Sequence, residues 1–128
     1  MPLPKLTRLE LKIMETLWSK GPSSIRELLE AFPKDERLAY TTVQTVVYRL
    51  EAKKAIRRTS KFGNADVFDA VVSRDSAQHR MIDDLVQLFG GRRLPIVTHL
   101  IESGKLTPEE LREARAALRK ATKQEKPE

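Results

Sequence analysis

Apolar residues recur at helical spacing through most of this chain, in short segments separated by turn-forming residues. Thr7 followed by Glu10 reads as a reciprocal N-terminal cap. Leu9, Ile13, Met14, Leu17 and Trp18 then form an apolar stripe that Gly21-Pro22 ends. Ser24 with Glu27 opens a second helix that turns Ile25, Leu28, Leu29 and Phe32 inward, and Pro33 closes it. A short polar loop, Lys34 to Ala39, leads to a third helix. Thr41 and Gln44 are expected to cap it, and it is expected to run to about Lys54. On this helix Val43, Val46, Val47 and Leu50 share one narrow face. Thr41, Thr45 and Tyr48 point the opposite way, with Gln44 and Arg49 on the flanks.

The period then changes. Ala55 to Lys61 and Val67 to Val71 read as two strands joined by the turn Phe62-Gly63-Asn64-Ala65-Asp66, with Gly63 and Asn64 supplying positive φ. Alternation turns Ile56 and Phe68 inward, and Arg58 is assigned to the opposite face. From Ser73 helical spacing returns, first with Ala77, Met81, Ile82, Leu85, Val86, Leu88 and Phe89, closed by Gly90-Gly91. A shorter helix carries Leu94, Ile96, Val97, Leu100 and Ile101 and ends at Gly104. Thr107, Pro108 and Glu110 launch a last helix bearing Leu111, Ala114, Ala117 and Leu118. Residues 123–128 are expected to form a disordered tail.

Three short helices followed by a hairpin predict a mainly α, winged helix-turn-helix DNA-binding domain over residues 1–72, with the third helix in the major groove. A merely solvated helix face would favour Glu and Lys, which are better helix formers than Thr. This one presents short hydroxyls and an amide, the groups that meet base edges and phosphates. The charge pattern agrees. The net charge is +6, yet residues 73–128 are nearly balanced, with 11 basic and 9 acidic side chains. The basic excess lies from Arg49 to Lys61, so a negatively charged partner is expected around residues 41–64. Thr41, Thr42, Gln44, Thr45 and Tyr48 are assigned to the groove, with Gln44 as a partner for adenine. Thr41 and Thr42 also lie at the helix N-terminus, where free N–H groups suit a phosphate. Arg49, Lys53, Lys54, Arg57, Arg58 and Lys61 are assigned to phosphates, and Asn64 to the contact at the wing tip.

The helices of residues 73–122 are too apolar to stand uncovered and too few to close a core of their own. They are read as a three-helix dimerisation region in which Met81, Ile82, Leu85, Leu88, Leu94, Val97, Leu100, Leu111 and Leu118 meet a second copy. A dimer also sets two reading helices about one DNA turn, or a multiple of it, apart. The alternative is a monomer in which this segment folds back on the winged domain.

Other classes have less support. The absence of cysteine excludes disulfides, thiolate metal sites and thiol chemistry. No apolar run reaches membrane-span length and no signal-peptide core is visible, so a cytoplasmic protein without direct membrane association is expected. No His-Glu-x-x-His run, phosphate-binding glycine loop or Gly-x-Ser-x-Gly elbow is present, so no catalytic residue and no cofactor is assigned. His79 and Asp83 are read as a pair on one helix face. A metal-responsive repressor using His79, His99 and nearby carboxylates is the alternative, together with a winged module that contacts only protein. Trp18 is read as a core residue, and Tyr40 as either packed on the first helix or bound to phosphate.

The chain resembles the penicillinase-repressor family of bacterial winged-helix repressors, the BlaI/MecI/CopY group. The most specific matching run is Ala39-Tyr40-Thr41-Thr42-Val43 with Thr45, Arg49-Leu50 and Lys53. Leu17-Trp18, Gly21-Pro22, Ile25-Arg26-Glu27-Leu28, Leu88-Phe89-Gly90-Gly91 and Leu106-Thr107-Pro108-Glu109-Glu110-Leu111 also match, so the resemblance spans residues 5 to about 120. It implies repression from a palindromic operator. In many relatives it also implies release when a membrane-bound sensor-protease cuts the dimerisation part. The cut position corresponds here to His99-Leu100, where β-lactam-responsive relatives carry Asn-Phe. The copper-thiolate switch of the CopY branch has no cysteine to work with here. After the reading helix this chain has Lys53-Lys54-Ala55 where relatives carry Lys-Gly, and its wing has Gly63-Asn64 where they carry Gly-Arg.

Overall fold

Local capping decides where most of the helices begin. In the computed structural model, which describes residues 5–125, α1 (Arg8–Lys20) opens on the expected reciprocal cap. Thr7 Oγ1 accepts from the Glu10 N–H at 3.2 Å, and Glu10 Oε1 accepts from the Thr7 N–H at 2.8 Å. Ser24 and Glu27 repeat the arrangement at α2 (Ile25–Glu30). The segment expected as a plain loop contains a 3-10 turn, Lys34–Glu36.

The third helix, α3 (Tyr40–Ala52), departs from expectation at both ends. Its cap is the backbone of Ala39, whose carbonyl accepts from the Thr42 and Val43 N–H groups. Ala39 is the last extended residue, so Thr41 lies inside the first turn and cannot cap it. The helix stops at Ala52, two residues before the expected limit, because Lys54 turns the backbone into the left-handed region at φ 64°.

Strands β2 (Ile56–Phe62) and β3 (Ala65–Ala70) form the wing, and β1 (Ser23–Ser24) adds a third, antiparallel strand on the far side of β3. The wing was expected as a hairpin of two strands. Two serines carry no detectable period, so β1 becomes visible only through its pairing with Val67 and Phe68. The turn is the two residues Gly63-Asn64, shorter than expected, and only Gly63 takes positive φ. Ile13, Met14 and Leu17 of α1 pack with Leu28 and Leu29 of α2, with Val43, Val46, Val47 and Leu50 of α3, and with Ile56 and Phe68 of the wing. Trp18 leans on this core as expected, and its Nε1–H donates to the Val72 carbonyl at 2.8 Å.

The chain divides into two compact units, Met1–Asp84 and Leu85–Glu128. The division falls within α4 (Arg74–Leu88), whose start is capped by Ser73 Oγ and whose Ala77 is buried in the first core. In the second unit α5 (Leu94–Glu102) is followed by α6 (Pro108–Glu125), which opens on the expected Thr107/Glu110 cap. Residues 123–125, expected in a disordered tail, continue α6. Residues 126–128 lie outside those described. No described residue after Ala77 is buried, and Leu88, Leu94 and Leu118 are 82%, 73% and 67% exposed. Among the described residues no helix is long and apolar enough to cross a membrane.

Candidate nucleic-acid interface

Helix α3 separates its residues by face. Val43, Val46, Val47 and Leu50 are buried, whereas Thr41, Thr42, Thr45, Tyr48 and Arg49 are exposed and Gln44 is half-buried. The polar face is ordered from within. Thr45 Oγ1 donates to the Thr41 carbonyl at 2.9 Å, and the Gln44 amide donates to Tyr48 Oη at 3.1 Å. Tyr40 is 40% exposed, and the Arg26 guanidinium of α2 lies 5.6 Å from its ring centre. Together with the wing these elements enclose an open groove of about 800 Å³, lined in part by Arg26, Tyr40, Gln44, Tyr48, Phe62 and Asn64.

The end of α3 is a helix-stop motif with lysine in the usual glycine position. The Ala55 N–H reaches back to the Leu50 carbonyl, and the Lys54 N–H to that of Glu51, at 3.0 Å each. This pair of bonds requires the left-handed backbone at Lys54. The turn therefore forms here with a cation in the position that favours glycine. Lys53, one residue earlier, faces the opposite way. Its Nζ donates to the fully buried Glu10 carboxylate at 2.7 Å and to the Lys5 carbonyl at 2.9 Å. Burial alone pushes the Glu10 carboxyl up. The Lys53 hydrogen bond, the Thr7 bonds and the Lys53 charge outweigh it, and the group sits below its ordinary range. Glu10 Oε2 is buried and has no hydrogen-bond partner among the described residues.

On the wing, Arg58 is not on the face expected. It stands opposite Phe68 in the register and over the Phe68 ring, on the same face as Ile56 two residues earlier. Period two requires this, and the assignment to the opposite face was an error of parity. Its guanidinium binds Glu51 through Nε (2.8 Å) and Nη2 (3.2 Å) and Asp66 through Nη1 (2.7 Å), and it covers the Tyr48 ring at 5.5 Å. The register slips by one residue after Arg58, so Thr59 forms a bulge.

Of the cations assigned to phosphate, Lys53 and Arg58 are thus occupied within the fold. Arg49, Lys54, Arg57 and Lys61 are exposed and form no ion pair among the described residues. Sequence reasoning passed over Arg26, which lines the groove over the Tyr40 ring in company with Glu27, Glu30 and Asp66, and Phe62, which stands 84% exposed beside the wing turn. It also passed over Glu10, whose only signal was its part in the cap. His79 and Asp83 do not pair. Asp84 instead binds Arg80 at 3.2 Å, and no cluster of three or more metal-ligating side chains occurs among the described residues.

Comparison with known proteins agrees with this architecture. The family profile described as "Penicillinase repressor" matches residues 6–120. The chain is 37% identical over 106 residues to the Transcriptional regulator BlaI of Mycobacterium tuberculosis, covering 78% of this chain and 76% of that protein. It is 23% identical over 112 residues to the Penicillinase repressor of Bacillus licheniformis, covering 87% of each. The solution structure of the DNA-binding domain of the repressor BlaI shares the fold, with a TM-score of 0.51 at 23% identity over 59% of this chain and 90% of that one. The chain belongs to the penicillinase-repressor family and is a winged-helix transcriptional regulator, not an enzyme.

Proposed function

We propose that this regulator represses transcription in the cytoplasm by binding a palindromic operator as a homodimer. The observation that carries the reading is the division of α3. Its apolar face is sealed in the core, its hydroxyl and amide face is uncovered, and four cations that form no ion pair among the described residues flank that face on α3, on the turn after it and on the wing. Thr41, Thr42, Gln44, Thr45 and Tyr48 meet the major groove. Arg49, Lys54, Arg57 and Lys61 meet phosphates, and Asn64 lies at the wing's contact. Support for the dimer comes from Met81, Ile82, Leu85, Leu88, Leu94, Val97, Leu111 and Leu118, which the described chain leaves exposed, and from half-buried Leu100 beside them. Release follows from loss of that dimer, by cleavage near His99-Leu100 or by a partner, with a membrane sensor-protease as the candidate agent. No observation favours the metal-responsive alternative: no group of three or more His, Cys, Asp or Glu side chains that could hold a metal ion occurs among the described residues.

Selection from random duplexes, followed by binding isotherms across a salt series, tests the reading. The selected sites should be palindromes with half-sites about 10 base pairs, or a multiple of that, apart. Gln44→Ala and Thr45→Ala should lower operator preference by about 1–3 kcal/mol each. Lys61→Ala should weaken operator and random DNA alike and flatten the slope of log affinity against log salt by about one. Selected sites without two-fold symmetry, or equal loss of specificity from both kinds of variant, would refute it.

A further inference from the structure

The Arg58 cluster is unusual in a surface meant for phosphate. One guanidinium faces two carboxylates, Glu51 and Asp66, so the group as a whole carries a charge of −1. A phosphate approaching Arg58 would have to displace ligands already bonded at 2.7 and 2.8 Å, one of them two-pronged. The ring contacts of Arg58 are Phe68 of the core and Tyr48 of α3. The guanidinium covers the Tyr48 ring at 5.5 Å, and the Tyr48 hydroxyl accepts from the Gln44 amide at 3.1 Å.

We infer that Arg58 is a positioning residue for base recognition rather than a phosphate ligand. It pins Tyr48, and Tyr48 fixes the orientation of the Gln44 amide. A primary amide has two N–H donors and one carbonyl acceptor. With one N–H donated to Tyr48 Oη, Gln44 presents one donor beside one acceptor to the groove. That pair complements N7 and the N6 amino group of adenine, whereas guanine offers two acceptors there. The wing thereby reads no base itself but sets the base that α3 reads, through Glu51 and Asp66 at one end and Gln44 at the other. The inference rests on the proposed reading of DNA by α3.

The test measures operator affinity for a set of duplexes in which each base pair of a half-site is changed in turn. Wild type, Tyr48→Phe and Arg58→Met are compared over a salt series. Wild type should show one A·T position per half-site where substitution costs about tenfold or more in affinity. Tyr48→Phe keeps the ring beneath Arg58 and loses only the hydroxyl. It should reduce that penalty to about threefold at that position alone, with melting temperature and salt slope unchanged. Arg58→Met should do the same with a change in slope well below one, where loss of a phosphate ligand would remove about one. A slope reduced by one with the A·T penalty intact would return Arg58 to the phosphate class and overturn the inference. So would Tyr48→Phe leaving every penalty unchanged. A wild type with no operator preference would instead overturn the reading of α3, which is a distinguishable failure.

Discussion

Lys54 holds a backbone conformation that favours glycine, at φ 64°, and two hydrogen bonds of the helix stop depend on it. A side chain in the left-handed region costs about 1–2 kcal/mol, a cost glycine does not bear. Replacing Lys54 by glycine alone would confuse this term with the lost charge and with the wider freedom of glycine in the unfolded chain, worth up to about 1 kcal/mol. The informative comparison is therefore Lys54→Gly against Lys54→Ala, since both lose the ammonium group. In a helix interior alanine is better than glycine by about 1 kcal/mol. Here the order should reverse, with glycine more stable by roughly 0.5–1 kcal/mol after the entropy difference is subtracted. Urea unfolding followed by circular dichroism measures this directly, with the midpoint of Lys54→Gly above that of Lys54→Ala at an equal m-value. Both variants should lose the same unit of salt slope in DNA binding, because both lose the same cation. Alanine as stable as glycine would show that the turn does not hold Lys54 in this conformation, and the account of the helix stop would fail.

Further outcomes follow from the buried pair and the uncovered helices. Glu10 sits below its ordinary value of 4.5, so its ionised form contributes stability that is present above that pH and lost as pH falls through the lower folded-state value. Glu10→Gln preserves the cap but not the charge. Its stability deficit relative to wild type should shrink as the solution is acidified below pH 4.5, and a deficit constant down to pH 3 would refute the assignment. Lys53→Met leaves a buried carboxylate without its cation and should destabilise by about 3 kcal/mol, read from the urea midpoint. Leu88→Lys combined with Leu118→Lys should shift a micromolar sample toward monomer in sedimentation while sparing the melting of the first unit; an unchanged sedimentation coefficient would place the dimer surface elsewhere.

Features written in neighbouring residues were legible in the sequence, and features that depend on distant pairing were not. The caps at Thr7/Glu10, Ser24/Glu27 and Thr107/Glu110 each join residues three apart, and all three form as read. The buried face of α3 was equally legible, because one helix repeat fixes it. Strand β1 was not, since two serines become a strand only beside β3. Cations were counted correctly but not their commitments. Lys53 finds its partner 43 residues back in the chain, and Arg58 bridges α3 and both strands of the wing. The face of Arg58 was within reach of the period-two rule, and only the misapplied parity hid it.

The Lys53 ammonium group touches two places far upstream, the Glu10 carboxylate and the Lys5 carbonyl. The segment ahead of α1 is therefore tied to the residue that caps α3. A protein that grips the chain at Lys5 would compete for this carbonyl and remove one of the two acceptors that hold the cap residue of α3, without touching the exposed polar face of that helix.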